Sequence, residues 1–180
     1  MRSSRTGERI IGIHRGMRRL LHASLRVLAV VWASPTTLIG LLFLSVGVAT
    51  GGRAARVRGV LEAHGGWLRW ALTRLPVGRG GAAAVTLGHV VLATSAAALA
   101  ATRTHERAHV AQCERWGPLF LPAYAIASLS ALARGADAYR GNRFEREAIA
   151  AESDDAARRA DTWAHAGPDP TPETAERRTS

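Results

Sequence analysis

No charged residue interrupts the chain between Val27 and Gly52. A run of that length suits a membrane-spanning helix, which takes about 20 apolar residues to cross a ~30 Å hydrocarbon core. Pro35 divides it. Ser34-Pro35 has the form of an N-cap followed by proline at the first helical position. A helix from Pro35 to Ala49 would span only about 22 Å. The run therefore predicts one kinked spanning helix, or two shorter pieces. Such pieces would bend within a membrane or pack on a soluble domain as a buried hairpin. A cleaved signal peptide fits less well, because the basic region before the run is long and the run itself is over-length.

That preceding region, residues 1–26, carries Arg2, Arg5, Arg9, Arg15, Arg18, Arg19 and Arg26 against a single Glu8. Ile10, Ile11, Ile13, Met17, Leu20, Leu21 and Leu25 form an irregular helical stripe. It reads either as a loosely ordered basic leader or as a helix lying on anionic lipid with cytoplasmic orientation. The formal net charge of the 180-residue chain is +10, and every basic residue is Arg. Those arginines are spread along the chain and not interleaved with aromatics, which argues against a nucleic-acid partner. The length suits one domain with a modest core. Cys113 is the only cysteine, so an internal disulfide and a multi-thiolate metal site are excluded. It reads as a small buried side chain.

Past Gly52 the pattern alternates. Val57, Gly59, Leu61 and Ala63 interleave with Arg56, Arg58, Val60 and Glu62, Gly65-Gly66 breaks the chain, and 83–92 (AAVTLGHVVL) is rich in β-branched residues. Two or three short antiparallel strands joined by glycine turns are predicted. Trp67 and Trp70 mark either a strand or one face of a short helix. From Ala96 the chain reads helical: one helix to about Arg115 ended by Gly117-Pro118, an apolar segment from Leu119 to Ala133 expected in the core, and a third helix from about Asn142 to Ala164. The fold class is α+β. Residues 165–180, rich in Pro and Thr, read as a disordered tail.

The helix from Ala96 carries His105-Glu106-Arg107-Ala108-His109, the pattern H-E-x-x-H. Two histidines four apart project from one helical face and can grip one metal ion. The intervening Glu sits beside the metal, where it can take a proton from water. Three protein ligands with one open position is the arrangement of a catalytic zinc site. The preferred third ligand is Glu145, at the start of the last helix, where the exposed amides favour a carboxylate. Asn142 is the natural N-cap of that helix, and Ala148 is small enough to let two helices approach. Glu147 points about 200° away from Glu145 and cannot share the metal. Tyr124 and Tyr139 are candidate donors to an oxyanion. Gln112, three residues after His109, could support a ligand from behind or serve packing alone. His89 reads as a strand histidine with a structural partner, and His64 as a turn residue.

H-E-x-x-H followed by E-x-x-A after a helical excursion resembles the zincin metallopeptidases whose third ligand is glutamate, the gluzincin arrangement. Membrane-bound peptidases of the CAAX-prenyl and heat-shock-induced type commonly carry E-x-x-A-D there; Ile149 stands at the Asp position. The segments 105–124 and 138–148 also look like a group of uncharacterised bacterial proteins with H-E-x-x-H-x-x-Q-x-E-x-x-G-P and then Y-x-x-N-P-F-E-x-E-A. Arg143 occupies the proline of the second block. The resemblance covers roughly Thr86 to Ala151. It implies zinc held by His105, His109 and Glu145, with Glu106 as general base in peptide-bond hydrolysis, and hence a peptide or protein substrate. The basic leader and the apolar run predict a membrane-associated protein, of the bacterial inner membrane, with lipid as a partner. The expected organisation is a basic leader (1–26), an apolar membrane-associated segment (27–52), a zincin-like domain (53–164) and the tail. The rival expectation is a membrane-associated interaction protein with a zincin-like fold and no turnover.

Overall fold

The computed structural model describes residue 24 and residues 27–75 and 81–166. Apart from Ser24, the basic leader lies outside the described residues, as does 167–180 of the expected tail.

Residues 27–32 are helical, and helix α1 (Ser34–Ala49) follows after a break at Ala33. Pro35 has no N–H to donate to the preceding turn, which explains the interruption. The turn is held around it instead. Ala33 N–H donates to Ala29 O, Thr37 N–H donates to Ala33 O, and the Thr36 and Thr37 hydroxyls both donate to Ala33 O at 2.9 Å. Ser34 is therefore not the N-cap the sequence suggests; Ala33 holds that place, and no side chain caps the helix.

A four-stranded sheet follows in the order β1-β2-β4-β3. β1 (Arg53–Val57) and β2 (Val60–His64) form one antiparallel hairpin, β3 (Ala84–Leu87) and β4 (Val90–Ala93) another. The hairpins join through a parallel β2–β4 pairing. The sheet is thus mixed, not the antiparallel one expected, because local alternation shows each hairpin but not how two hairpins dock. Arg58 and Gly59, expected within a strand, form the first two-residue turn, both with positive φ. That is the geometry whose twist matches paired strands. Gly88 and His89 form the second turn, so His89 lies on a turn and not on a strand. His64 is the last residue of β2 rather than a turn residue. Trp67–Leu72 is a short helix, α2.

Side-chain alternation assigns the two sheet faces. Val90, Leu92 and Ala63 meet α1 and α2, together with Leu68, Leu72, Leu41 and Leu44. Val60, Val91 and Ala93 meet Leu99 and Val110 of α3 (Ala96–Trp116) on the other face. β4 is buried along its whole length because helices cover both faces. α1 can lie close because its inner stripe is small: a Cβ at Gly40 would come within 2.7 Å of Val90 Cβ. A short 3-10 turn (Gly117–Leu119), α4 (Phe120–Ala133) and α5 (Arg143–Ala166) complete the chain. Phe120, Phe144, Cys113 and Ala33 form a third apolar cluster where α3, α4 and α5 meet the start of α1.

α4 is not the core helix expected. Phe120 and Ala131 face inward, whereas Ile126, Leu129 and Leu132 are exposed, as is Leu119 just before it. α1 is similar: Leu38, Ile39, Leu42, Phe43 and Val46 lie outward. By length and composition, the helical stretch Ala96–Ala133 is apolar enough to cross a membrane. Its uncharged part begins only at Trp116.

Candidate metal centre

α3 starts at Ser95, whose side chain accepts from Ala98 N–H at 3.1 Å, and it ends at Gly117. There a positive φ favours glycine, and any side chain would collide with the Trp32 indole. Between these ends, His105 and His109 lie one turn apart on the buried face. α5 starts at Asn142, whose Oδ1 accepts from Phe144 N–H at 2.9 Å as an N-cap. The Asn142 amide donates to Tyr124 O at 3.2 Å and Ser128 Oγ at 2.9 Å, which ties the start of α5 to α4. Glu145 in the first turn is thereby aimed at the histidines.

Glu145 Oε2 lies 3.1 Å from His105 Nε2, and Oε1 lies 3.3 Å from His109 Nε2. The two Nε2 atoms are 3.1 Å apart. An ion bound tetrahedrally at 2.0–2.1 Å separates its ligands by about 3.3 Å, so the spacing fits one ion held by all three residues. The tautomer of His109 supports the same view. Gln112 Oε1 lies 2.8 Å from His109 Nδ1. Gln112 Nε2 donates to Phe144 O and Glu147 Oε2, both at 3.0 Å, which fixes the amide with its oxygen toward the histidine. An amide oxygen only accepts, so Nδ1 carries a proton and Nε2 points into the cluster, able to ligate a cation as the neutral ring or to donate to Glu145 as the protonated one. Two imidazole nitrogens this close repel unless a proton or a cation lies between them.

Glu106 is buried next to the pair, and Thr86 of β3 donates to its Oε2 at 2.6 Å. Burial raises the Glu106 carboxyl above its ordinary range; the Thr86 bond and the histidines oppose this without cancelling it. Burial also opposes the charge on Glu145, yet hydrogen bonds from His105, His109 and Tyr124 hold that carboxyl well below the usual range. For His109, burial works against protonation, but the Glu145 contact outweighs it and raises its pKa.

The two tyrosines take different places. Tyr124 OH donates to Glu145 Oε1 at 2.6 Å and so braces the carboxylate. Tyr139 OH lies 3.2 Å from His105 Nε2, at the rim of the cluster. Burial and Glu145 raise its pKa, so it stays a protonated donor. Glu147 faces Gln112 and Arg115, away from the histidines. His89 pairs with Glu114 at 3.0 Å, remote from the cluster. Cys113 is fully buried, and burial pushes its thiol up to about 11.

Three residues escape a reading of the sequence. Thr86 is the one hydroxyl in β3. Glu152 Oε2 lies 3.7 Å from His105 Nδ1, two turns past Glu145 on the same helix; that spacing was available as a signal. Glu62, buried in β2, accepts from Arg103 Nε at 3.2 Å and Nη2 at 2.9 Å, which pins α3 to the sheet just ahead of the motif. A cavity of about 230 Å3 opens over the cluster, with Val85, Leu87, Phe120 and Leu121 in its wall. Comparison of the chain with protein-family models, curated proteins and solved structures gives no match.

Proposed function

We propose that this chain is a membrane-associated, zinc-dependent metallopeptidase of zincin type, with His105, His109 and Glu145 as ligands and Glu106 as general base. The observation that carries the proposal is the convergence of two Nε2 atoms and a carboxylate at 3.1–3.3 Å, with a second, separately held carboxylate beside them. A site that only stabilised the fold would not need Glu106. Two nitrogens and one oxygen suit zinc among the common ions.

Bound zinc would supply Lewis acidity, polarising a carbonyl and bringing the pKa of water toward ~7. The residues of the chain do the rest. Glu106, raised by burial, accepts a proton from the attacking water and returns it to the leaving amine. Thr86 holds one Glu106 oxygen and leaves the other free. Gln112 and Tyr124 keep His109 and Glu145 in place, and the Tyr139 hydroxyl is the donor nearest a developing oxyanion. β3 is an edge strand, and its residues line the cavity, so an extended peptide can pair with its free backbone. The apolar outer faces of α1 and α4 support the membrane association.

The test is metal content and peptide hydrolysis of the purified protein beside Glu106→Gln. About one zinc per chain in both, with hydrolysis lost by at least 100-fold in the variant, is the expected result. Zinc in both without hydrolysis in either would leave a metal-holding interaction module. Zinc content unchanged by His105→Ala would remove the site altogether.

A further inference from the structure

α1 turns large apolar residues outward. Its fully buried positions are Thr36, Gly40 and Gly47, Leu41 and Leu44 pack partly buried against the sheet, and Leu38, Ile39, Leu42, Phe43 and Val46 are exposed. Small residues at the closest contacts with large apolar residues outside are the pattern of helices packed within lipid. The surface continues onto α4. Trp32 lies against Gly117, and Leu119, Ile126, Leu129 and Leu132 are exposed beyond it. At the other end, near the C-terminus of α1, its character changes. Phe43 stacks on Trp67 with centroids 6.1 Å apart, and Trp67 meets Trp70 at 6.1 Å. Arg74 lies over the Trp70 ring at 4.4 Å. Trp70 is 53% exposed, and Arg69 makes no ion pair among the described residues.

We propose that the outer faces of α1 and α4 sit in a bilayer and that α2, with Trp67, Trp70, Arg69 and Arg74, is an interfacial platform that engages anionic phospholipid headgroups. The inference rests on the membrane-associated reading above and deepens it by fixing where the hydrocarbon ends. Tryptophan seats at the boundary between hydrocarbon and headgroups. Two guanidiniums beside it complement an anionic surface and not a neutral one. The placement has a consequence for the site. Leu75, next to Arg74, also lines the cavity over the histidines, so the headgroup layer lies beside the cavity mouth. A peptide bond close to the membrane surface is then within reach.

The full chain is mixed with vesicles of phosphatidylcholine alone or with 30% phosphatidylglycerol, with brominated chains as fluorescence quenchers. Capture is expected on both, stronger on the anionic vesicles. Arg69→Gln with Arg74→Gln should weaken anionic binding roughly five- to thirty-fold and leave neutral binding as it was. Trp70→Phe should remove part of the quenching, and circular dichroism checks that each variant is folded. Leu42→Glu and Ile126→Glu should reduce capture on both vesicle types. Anionic binding and quenching unchanged in the platform variants would overturn the inference while the membrane reading stands. No capture on any vesicle, or loss of a protein oligomer and not of lipid in the α1 and α4 variants, would overturn both.

Discussion

Gln112 shows how much one side chain can decide. Its oxygen sets the tautomer of His109, and its nitrogen spans to the backbone of Phe144, next to Glu145. Gln112→Leu should keep the packing but release His109, lowering zinc affinity about 10- to 100-fold by competition with a chelator. The titrating groups give a second expectation at this scale. In the metal-free protein, Glu145 has a lowered pKa, so its contribution is present above the ordinary glutamate value of ~4.3 and is lost as pH falls below it. His109 has a raised pKa, so its contribution is present below ~6.5 and is lost as pH rises through its folded value. Glu106, raised by burial, costs stability once it must ionise. His109 and Glu106 favour mildly acidic pH, where the contribution of Glu145 is still present. A chelator-treated sample should therefore melt higher near pH 5.5 than at pH 8. Zinc binding should strengthen in the opposite direction, because the ligands must first lose their protons. A melting temperature that rises steadily to pH 8 without metal would contradict the His109–Glu145 pairing.

At the scale of elements, the site is the meeting of two helix segments, and the connections that set their angle matter as much as the ligands. Asn142 is fully buried and makes both the N-cap of α5 and the tie to α4. Asn142→Ala should cost about 1–3 kcal/mol in thermal or denaturant unfolding and loosen Glu145 with it, because the cap is lost and two partly buried acceptors lose their donor together. Glu62 does comparable work for α3. Glu62→Gln should lower stability by about 1–2 kcal/mol, since one partner, Arg103, is half exposed and recovers water. The β1–β2 turn offers the opposite effect. Arg58 sits at positive φ, which costs a side-chain-bearing residue about 1 kcal/mol, and Arg58→Asn should raise the melting temperature. The stop at Gly117 and the start at Asn142 were legible because caps are local and act within a few residues. α1 misled for the same reason in reverse. Ser34-Pro35 has a capping pattern, but the hydroxyls that hold the turn are those of Thr36 and Thr37.

On the scale of the whole molecule, the exposed apolar faces of α1 and α4 predict recovery in the membrane fraction, resistant to alkaline carbonate wash, by immunoblot. Release of most of the protein by that wash would point to a covered soluble surface. The sequence by itself determined the local things: the two histidines on one face, the glutamate at a capped helix start and the mixed α+β class. Each depends on periodicity or on contacts a few residues apart. Only the tertiary structure decided the parallel pairing of β2 with β4, the outward face of α4, and the roles of Thr86, Glu62 and Tyr124. Each of these joins segments about 20 or more residues apart. The apolar residues of α4 look alike on both faces, so no pattern along the chain can say which face is covered. Packing against Phe144 and Cys113 selects one and leaves the other exposed.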